Sequence, residues 1–247
     1  MICKHFCTHW MRKIANNADR TVTFLDQFPM TNKFDLIVFD WDGTLLDSTN
    51  VIVSSIQGAA RDVGLQQPSV ANARHVIGLG LSEALEYLFP GVSSQQVGTL
   101  IDRYRHHYSV YGQNISPFEG ITEIIETLHA EDFLLAVATG KSRTELNKAL
   151  ESSGLGVYFH ASRCADETFS KPHPAMLLEL MEQFGVAAGR TLMIGDTTHD
   201  LQMAINAEVA GVGVAYGAHP RESLSSLAPL ACVNSITELH SWLNANV

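Results

Sequence analysis

In the second half of the chain, short apolar runs alternate with helical patterns, and this alternation constrains the fold more than any other feature. Residues 133–138, 191–194 and 209–215 are strand-sized runs, with 209–215 expected to be the last strand. Residues 158–162 predict a weaker strand, and residues 34–38 predict a buried one near the start. Strands separated by helices pair in parallel and are covered on both faces. The sequence therefore predicts an α/β fold built on a parallel sheet.

A segment that predicts only helices lies between the first strand and this alternation. Residues 82–89 and 94–108, for example, carry apolar side chains at spacings of three and four. We therefore expect a core made of residues 34–49 and 115–247, with residues 50–114 inserted as a helical cap domain.

Residues 1–33 differ from the rest and show no regular period, so we expect a poorly ordered extension. They lack the apolar stretch of a signal peptide, and Met30 is a candidate natural start. Four alternating cysteines and histidines suggest a metal site, but their spacing is too tight for known zinc patterns: Cys3, His5, Cys7 and His9.

The composition excludes several classes of partner. A formal net charge of -10 at pH 7 argues against binding to nucleic acid or to an anionic membrane surface. No apolar run approaches the roughly 20 residues that a membrane-spanning helix needs. The 4 cysteines are too few and too scattered for a disulfide scaffold, so we expect a reducing, cytoplasmic setting.

Two acids leave the first predicted strand in an unusual way. The apolar run at residues 34–38 predicts a buried strand that ends at Asp40, and Asp40 opens the sequence Asp40-Trp41-Asp42-Gly43-Thr44. Asp and Gly suit a turn, which is the structural alternative. That alternative does not explain two acids at the carboxyl end of a buried strand, where α/β folds bind ligands. We interpret this loop as part of an active site.

Three further loops carry groups that suit a phosphate and a divalent cation. Thr139-Gly140-Lys141-Ser142 combines a hydroxyl, a flexible glycine and a helix start, and Glu145 completes a capping box with Ser142. Lys171 stands before a stiff Pro-His-Pro turn, and residues 195–200 carry two acids after a strand. Taken singly, each has an ordinary alternative: a common turn, a solvated lysine, or acids that favour a helix dipole.

The four elements occur together in one order, and in this respect the chain resembles the haloacid-dehalogenase superfamily of phosphohydrolases. The resemblance covers residues 34 to about 240 and implies a Rossmann-like core. The inserted helices resemble the small cap of the phosphoglycolate-phosphatase-like branch. The chain departs from that branch at Gly140, where Asn is usual, and at Cys164, where Gly is common.

The resemblance implies a role for each matched residue. Asp40 would be the nucleophile that attacks phosphorus and forms an aspartyl-phosphate. Asp42 would protonate the leaving oxygen and then activate water as a base. Thr139, Gly140 and Lys171 would hold the transferring phosphoryl group and offset its charge.

Mg²⁺ is the cofactor that the resemblance implies. The Asp40 carboxylate, the Asp42 backbone carbonyl and Asp196 would bind it. Asp200 would support the metal through its waters or anchor the phosphate-binding lysine, and Thr44 is a further supporting residue.

Substrate choice is expected to lie in the cap. Its specificity loop would be Gly78, Leu79 and Gly80. Three cap cations could meet a substrate carboxylate, although a surface charge is the commoner role for each: Arg74, Arg103 and Arg105. Three histidines near the motifs are expected to pack in the structure and not to bind metal: His173, His199 and His219.

The sequence thus predicts a Mg²⁺-dependent phosphatase acting on a small phosphorylated metabolite such as phosphoglycolate, as a monomer or a homodimer. One alternative is phosphotransfer of the β-phosphoglucomutase kind, which uses the same aspartyl-phosphate. The other is a non-catalytic binding protein that kept the fold, although the intact motif residues argue against it.

Overall fold

The computed structural model describes residues 33–247. The predictions for the N-terminal extension, for Met30 and for the run from Cys3 to His9 therefore lie outside the described residues. Among residues 33–247, no helix combines the length and apolar character needed to cross a bilayer.

Among the described residues, the centre of the fold is a sheet of six parallel strands, which confirms the predicted α/β class. Their spatial order is β3-β2-β1-β4-β5-β6. The strands are β1 (Leu36–Phe39), β2 (Leu134–Thr139), β3 (Ala161–Cys164), β4 (Thr191–Gly195), β5 (Ala210–Val214) and β6 (Ala231–Val233).

Ten α-helices surround or precede the sheet strands among the described residues. The first four are α1 (Thr49–Asp62), α2 (Val70–His75), α3 (Leu81–Leu88) and α4 (Ser94–Tyr111). The others are α5 (Ile121–Ala130), α6 (Arg143–Ser153), α7 (Ala175–Phe184), α8 (Thr198–Asn206), α9 (Arg221–Ser225) and α10 (Ile236–Asn246).

The central strand β1 is buried on both faces because its side chains alternate between two apolar clusters. Ile37 and Phe39 belong to the cluster that α5, α6 and α10 cover. Leu36 and Val38 belong to the cluster that α7 and α8 cover. This arrangement accounts for the continuous apolar run that predicted the strand.

The structure shifts the bounds of one predicted strand and adds a strand after the one predicted to be last. Residues 155–158 form a 3₁₀ turn after Gly154, which is left-handed with φ of 73°, so pairing of β3 with β2 begins only at Ala161. Residues 209–215 are not the last strand, because β6 pairs with β5 at the sheet edge. β6 has 3 residues, which is too short to produce an alternating pattern.

Residues 49–114 form helices α1 to α4 and a 3₁₀ turn and include no strand, as the sequence predicts for that segment. α1 makes its most extensive contacts with α4, and apolar side chains from all four helices take part in two small clusters. The connections at either end of these helices run together: the Asp47 N–H donates to the Ser116 carbonyl (3.1 Å), and the Phe118 N–H donates to the Leu45 carbonyl (3.0 Å). This pairing fixes where the helical segment leaves and rejoins the sheet. The division into cap and core at residues 50 and 114 remains our proposal.

Two glycines inside these helices allow the packing to be tested with one chemical change. A methyl group on Gly98 of α4 would meet open space, whereas one on Gly58 of α1 would lie 2.9 Å from ring atoms of His107. The His107 ring is held by Asp62 at 2.8 Å. We expect Gly98→Ala to raise the free energy of unfolding by about 0.5–1 kcal/mol. Gly58→Ala should lower it by about 1–3 kcal/mol.

Urea unfolding of both variants measures these free energies. The same sign of change in both variants would contradict the packing described here.

Candidate active site

The carboxyl ends of three neighbouring strands bring the predicted site residues together. β1 pairs with β2 on one side and with β4 on the other, so Phe39 lies opposite Val137 and Ile194. The next residues along these strands include Asp40, Thr139 and Asp196. Parallel pairing therefore gathers side chains that are between 57 and 156 residues apart in sequence.

Lys171 is the cation beside Asp40. Its Nζ lies 2.5 Å from Asp40 Oδ1 and 2.6 Å from Asp200 Oδ1, and all three residues are buried. Burial opposes the charge on Lys171, but attraction by Asp200 and Asp40 outweighs it and raises the pKa of the ammonium. Asp200 was predicted either to support the metal through its waters or to anchor Lys171. The structure shows the contact with Lys171.

Three carboxylates converge beside this lysine. Asp40, Asp196 and Asp200 each place an oxygen within 4.8 Å of the others. Burial, followed by repulsion from Asp200, raises the pKa of Asp196 to about 7. Burial likewise raises the pKa of Asp40 well above its usual range, although attraction by Lys171 opposes the shift.

The Asp196 carboxylate is held by two hydrogen bonds in a space lined by glycines. Its Oδ1 accepts from the Thr44 hydroxyl (2.9 Å), and its Oδ2 accepts from the Ala218 N–H (2.6 Å). A methyl group on Gly43 or Gly217 would collide with the Asp196 carboxylate, and Gly43 also has φ of 84°. The glycine and the threonine of the first motif are therefore explained by their contact with the fourth motif.

The oxygen donors of this cluster fit a divalent cation. Asp40 Oδ2 is buried and has no hydrogen-bond partner among the described residues. Such an orphaned carboxylate oxygen is costly unless a ligand occupies it. Hard oxygen donors are the ligands that Mg²⁺ prefers. The cluster consists of Asp40, Asp196 and Asp200. Asp200 was not among the predicted direct ligands of the metal.

The Asp42 side chain has different partners from Asp40. Its Oδ1 accepts from the Ser48 hydroxyl (2.7 Å), and its Oδ2 lies 2.9 Å from Lys141 Nζ. Lys141 also donates to the Tyr108 hydroxyl of α4 (3.1 Å). Burial opposes the charge on Lys141, but attraction by Asp42 outweighs it and raises the pKa of the ammonium well above its usual range.

The predicted anion loop lies directly against the predicted specificity loop. Thr139 is buried, and its hydroxyl accepts from the Lys141 N–H at 3.2 Å. A methyl group on Gly140 would collide with the carbonyl oxygens of Gly78 and Leu79, so this position needs glycine. The Gly80 N–H donates to the Ser170 hydroxyl (2.8 Å). Ser142 and Glu145 form the predicted capping box at the start of α6.

A cavity of about 740 Å³ opens between the inserted helices and these loops. It is lined by both catalytic candidates, by the anion loop and by the specificity loop; among its lining residues are Asp40, Asp42, Thr139, Gly140, Gly78 and Leu79. Among the three cap cations, only Arg105 lines this cavity, and it pairs with Glu145 at 3.1 Å. Arg103 pairs with Asp62 instead, and Arg74 lines a separate cavity.

The three histidines make packing contacts, in agreement with their predicted role. His173 stacks on Phe169 with ring centroids 4.4 Å apart. The Nε2 atoms of His199 and His219 lie 2.8 and 3.1 Å from the His75 carbonyl oxygen. Burial lowers the pKa of His219 to about 4, so this ring is neutral at pH 7.

Sequence reasoning assigned no role to Lys141, Tyr108 or Ser48, which surround Asp42. Ser48 and Tyr108 stand in ordinary helical contexts and give no signal of their own. The sequence does give a signal for Lys141, because this lysine follows the glycine of a predicted anion loop.

The fold and the site together define an α/β protein with a buried aspartate–lysine centre at the carboxyl edge of its sheet, and comparison with known proteins identifies the family. Residues 37–214 match the family described as haloacid dehalogenase-like hydrolases. The chain belongs to this family.

The relatives are named as phosphatases. The chain is 35% identical over 212 residues to "Probable phosphatase IndB" of Dickeya dadantii (strain 3937), covering 83% of this chain and 91% of that protein. It is 31% identical over 188 residues to a phosphoglycolate phosphatase of Agrobacterium fabrum, covering 74% and 81%.

A crystal structure titled as a predicted phosphoglycolate phosphatase from Haemophilus somnus 129pt has a TM-score of 0.75 at 26% identity, covering 85% and 98%. Fold, family and relatives agree that the protein is a phosphatase of the haloacid dehalogenase type.

The raised pKa of Asp196 predicts how stability depends on pH in metal-free protein. Its folded pKa of about 7 lies above the ordinary value of 3.8. The stabilising contribution of the protonated group is therefore complete below pH 3.8 and is lost as pH rises through about 7. We expect the Tm of protein in EDTA to fall by about 5 °C or more between pH 5 and pH 8.

Added Mg²⁺ should raise the Tm more at pH 8 than at pH 5, because the cation replaces the proton. Scanning calorimetry measures both effects, and Asp196→Asn is the control because its amide cannot ionise. Equal Tm values at the two pH values in EDTA would contradict the prediction.

Proposed function

We propose that the protein hydrolyses a small, phosphoglycolate-like phosphomonoester in a Mg²⁺-dependent reaction through an aspartyl-phosphate on Asp40. One observation carries the proposal: Asp40 is buried, with one oxygen on Lys171 and the other without a partner among the described residues. A carboxylate held in this way is oriented to attack, and its negative charge needs a cation before an anionic substrate can approach.

The reaction would proceed in two displacements. A carboxylate oxygen of Asp40 attacks phosphorus, the ester P–O bond breaks, and Asp42 gives a proton to the leaving oxygen. Asp42 then takes a proton from a water molecule, which attacks phosphorus and breaks the bond to Asp40. Inorganic phosphate and the free Asp40 carboxylate are the products.

Other residues would hold the phosphoryl group during both steps. Thr139 and the Gly140 backbone would donate to its oxygens, and Lys171 would offset its charge. Asp40, the Asp42 backbone carbonyl and Asp196 would hold Mg²⁺, with Asp200 and Thr44 in support. When bound, Mg²⁺ would reduce repulsion between the anionic nucleophile and the anionic substrate.

The cavity guides the search for the substrate. Its volume of about 740 Å³ is at the larger end of the range for small-molecule sites, and a two-carbon leaving group would fill little of it. A substrate panel should therefore extend from phosphoglycolate and longer phospho-hydroxy acids to sugar phosphates and nucleoside monophosphates. Phosphate release from one of them in the presence of Mg²⁺ tests the proposal.

Substitution of the nucleophile gives the sharpest single test. We expect Asp40→Asn to reduce kcat by more than about 10⁴-fold, because an amide cannot form the covalent intermediate. Asp42→Asn should reduce kcat by about 10²–10⁴-fold, since it removes proton transfer to the leaving oxygen. Phosphate release assays, together with mass spectrometry of acid-quenched wild-type enzyme for an adduct on Asp40, measure both effects.

The alternatives predict other results. Interconversion of hexose phosphates without phosphate release would favour a mutase. A folded, Mg²⁺-loaded protein that releases phosphate from no member of the panel would favour a non-catalytic binding protein. Near-normal turnover by Asp40→Asn would refute the assignment of the nucleophile.

A further inference from the structure

Of the residues that the structure describes, three cations besides the buried centre line the cavity: Arg105, Lys141 and Lys148. Arg105 is half-exposed and already paired with Glu145. Lys148 is exposed to solvent. Lys141 alone among the three is buried, with 9% of its surface exposed. A buried ammonium on a cavity wall interacts with an anion much more strongly than a solvated one does.

The partners of Lys141 hold it but leave it with spare hydrogen-bonding capacity. Its Nζ lies 2.9 Å from Asp42 Oδ2, 3.1 Å from the Tyr108 hydroxyl and 4.7 Å from the centre of the Tyr108 ring. An ammonium has three N–H donors, and these partners use two of them. One donor therefore remains for a ligand in the cavity that Lys141 lines.

The contact with Asp42 gives the position of this donor relative to the reaction. In the proposed function, Asp42 gives its proton to the leaving oxygen. Lys141 Nζ lies 2.9 Å from that carboxylate, so in the proposed reaction its ammonium would lie on the side of the site from which the leaving group departs. An anionic substituent one or two carbons from the ester oxygen would come next to Lys141.

Tyr108 links this lysine to the inserted helices. Its side chain comes from α4, and it contacts Lys141 through both its hydroxyl and its ring. The ammonium is thus fixed between a residue of the sheet edge and a residue of the inserted helices. Fixed donors lose less entropy on binding an anion than free lysine side chains do.

We propose that Lys141 is a specificity-determining residue that binds a carboxylate on the leaving group, with Tyr108 as its positioning residue. The preferred substrates are then phosphate esters of hydroxy acids, as opposed to esters of neutral alcohols. This inference rests on the proposed function and adds to it the residue that recognises the leaving group.

A matched pair of substrates tests the proposal. Phosphoglycolate and ethyl phosphate both have a two-carbon leaving group, and only phosphoglycolate carries a carboxylate. We expect wild-type kcat/KM to favour phosphoglycolate by about 10–100-fold, which is the usual effect of a hydrogen bond to a charged group. K141Q should abolish this preference, chiefly by raising KM for phosphoglycolate.

Three further variants separate recognition from a structural role. K141R should recover part of the preference, because it restores the charge. Y108F should lower the preference by about 3–10-fold, because it removes one contact of the ammonium. K33Q, which changes an exposed lysine that does not line the cavity, should leave the kcat/KM for both substrates unchanged. If K141Q fails to fold, Y108F supports the same comparison with the loss of a single hydroxyl.

An equal loss of kcat/KM for both substrates in K141Q would overturn the inference, because Lys141 would then act only through Asp42. A wild-type enzyme that releases phosphate from both substrates without preference would overturn it too, and the proposed function would stand. A wild-type enzyme that releases phosphate from neither these substrates nor the wider panel would overturn both.

Discussion

The structure depends on placing several carboxylates in one buried space. Asp40, Asp196 and Asp200 have oxygens within 4.8 Å of one another, where burial and mutual repulsion both oppose ionisation. Lys171 reduces that cost through contacts of 2.5 and 2.6 Å with two of the three. The cluster explains which residue types occupy several neighbouring positions. Thr44 and backbone N–H groups donate to it, and glycines stand wherever a methyl group would displace a carboxylate.

The parallel sheet makes such a cluster possible, because it ends three adjacent strands at one edge. The inserted helices complete the site from the other side, and two contacts determine how they lie over it. Leu45 and Asp47 pair with the returning segment around Phe118, which fixes where the helices leave the sheet. Gly140 packs against the carbonyl oxygens of the loop at Gly78, which brings the predicted specificity loop to the anion loop.

The features that could be predicted from the sequence are those that a local pattern determines. The buried strand before Asp40 shows as an apolar run, and the capping box at Ser142 needs only residues three apart. The strand β6 could not be predicted, since its three residues gain stability only by pairing with β5. The Lys141–Tyr108 contact was also out of reach, because it joins residues 33 apart in separate elements and depends on how α4 lies over the sheet. Long-range geometry of this kind leaves no period in a sequence.

The two carboxylates of the first motif differ in their surroundings, and this difference suits different chemical work. Within residues 33–247, one oxygen of Asp40 has no hydrogen-bond partner, whereas both oxygens of Asp42 are engaged, by Ser48 and by Lys141. Each acid thus has a lysine of its own: Lys171 on the side of the acid cluster and Lys141 on the side of the cavity. With Asp196 and Asp200 included, four carboxylates face two ammonium groups, which leaves two negative charges when all are ionised. A buried excess of this size needs protons or a cation to offset it, so the residues proposed to bind Mg²⁺ and the residue proposed to attack phosphorus form one electrostatic unit.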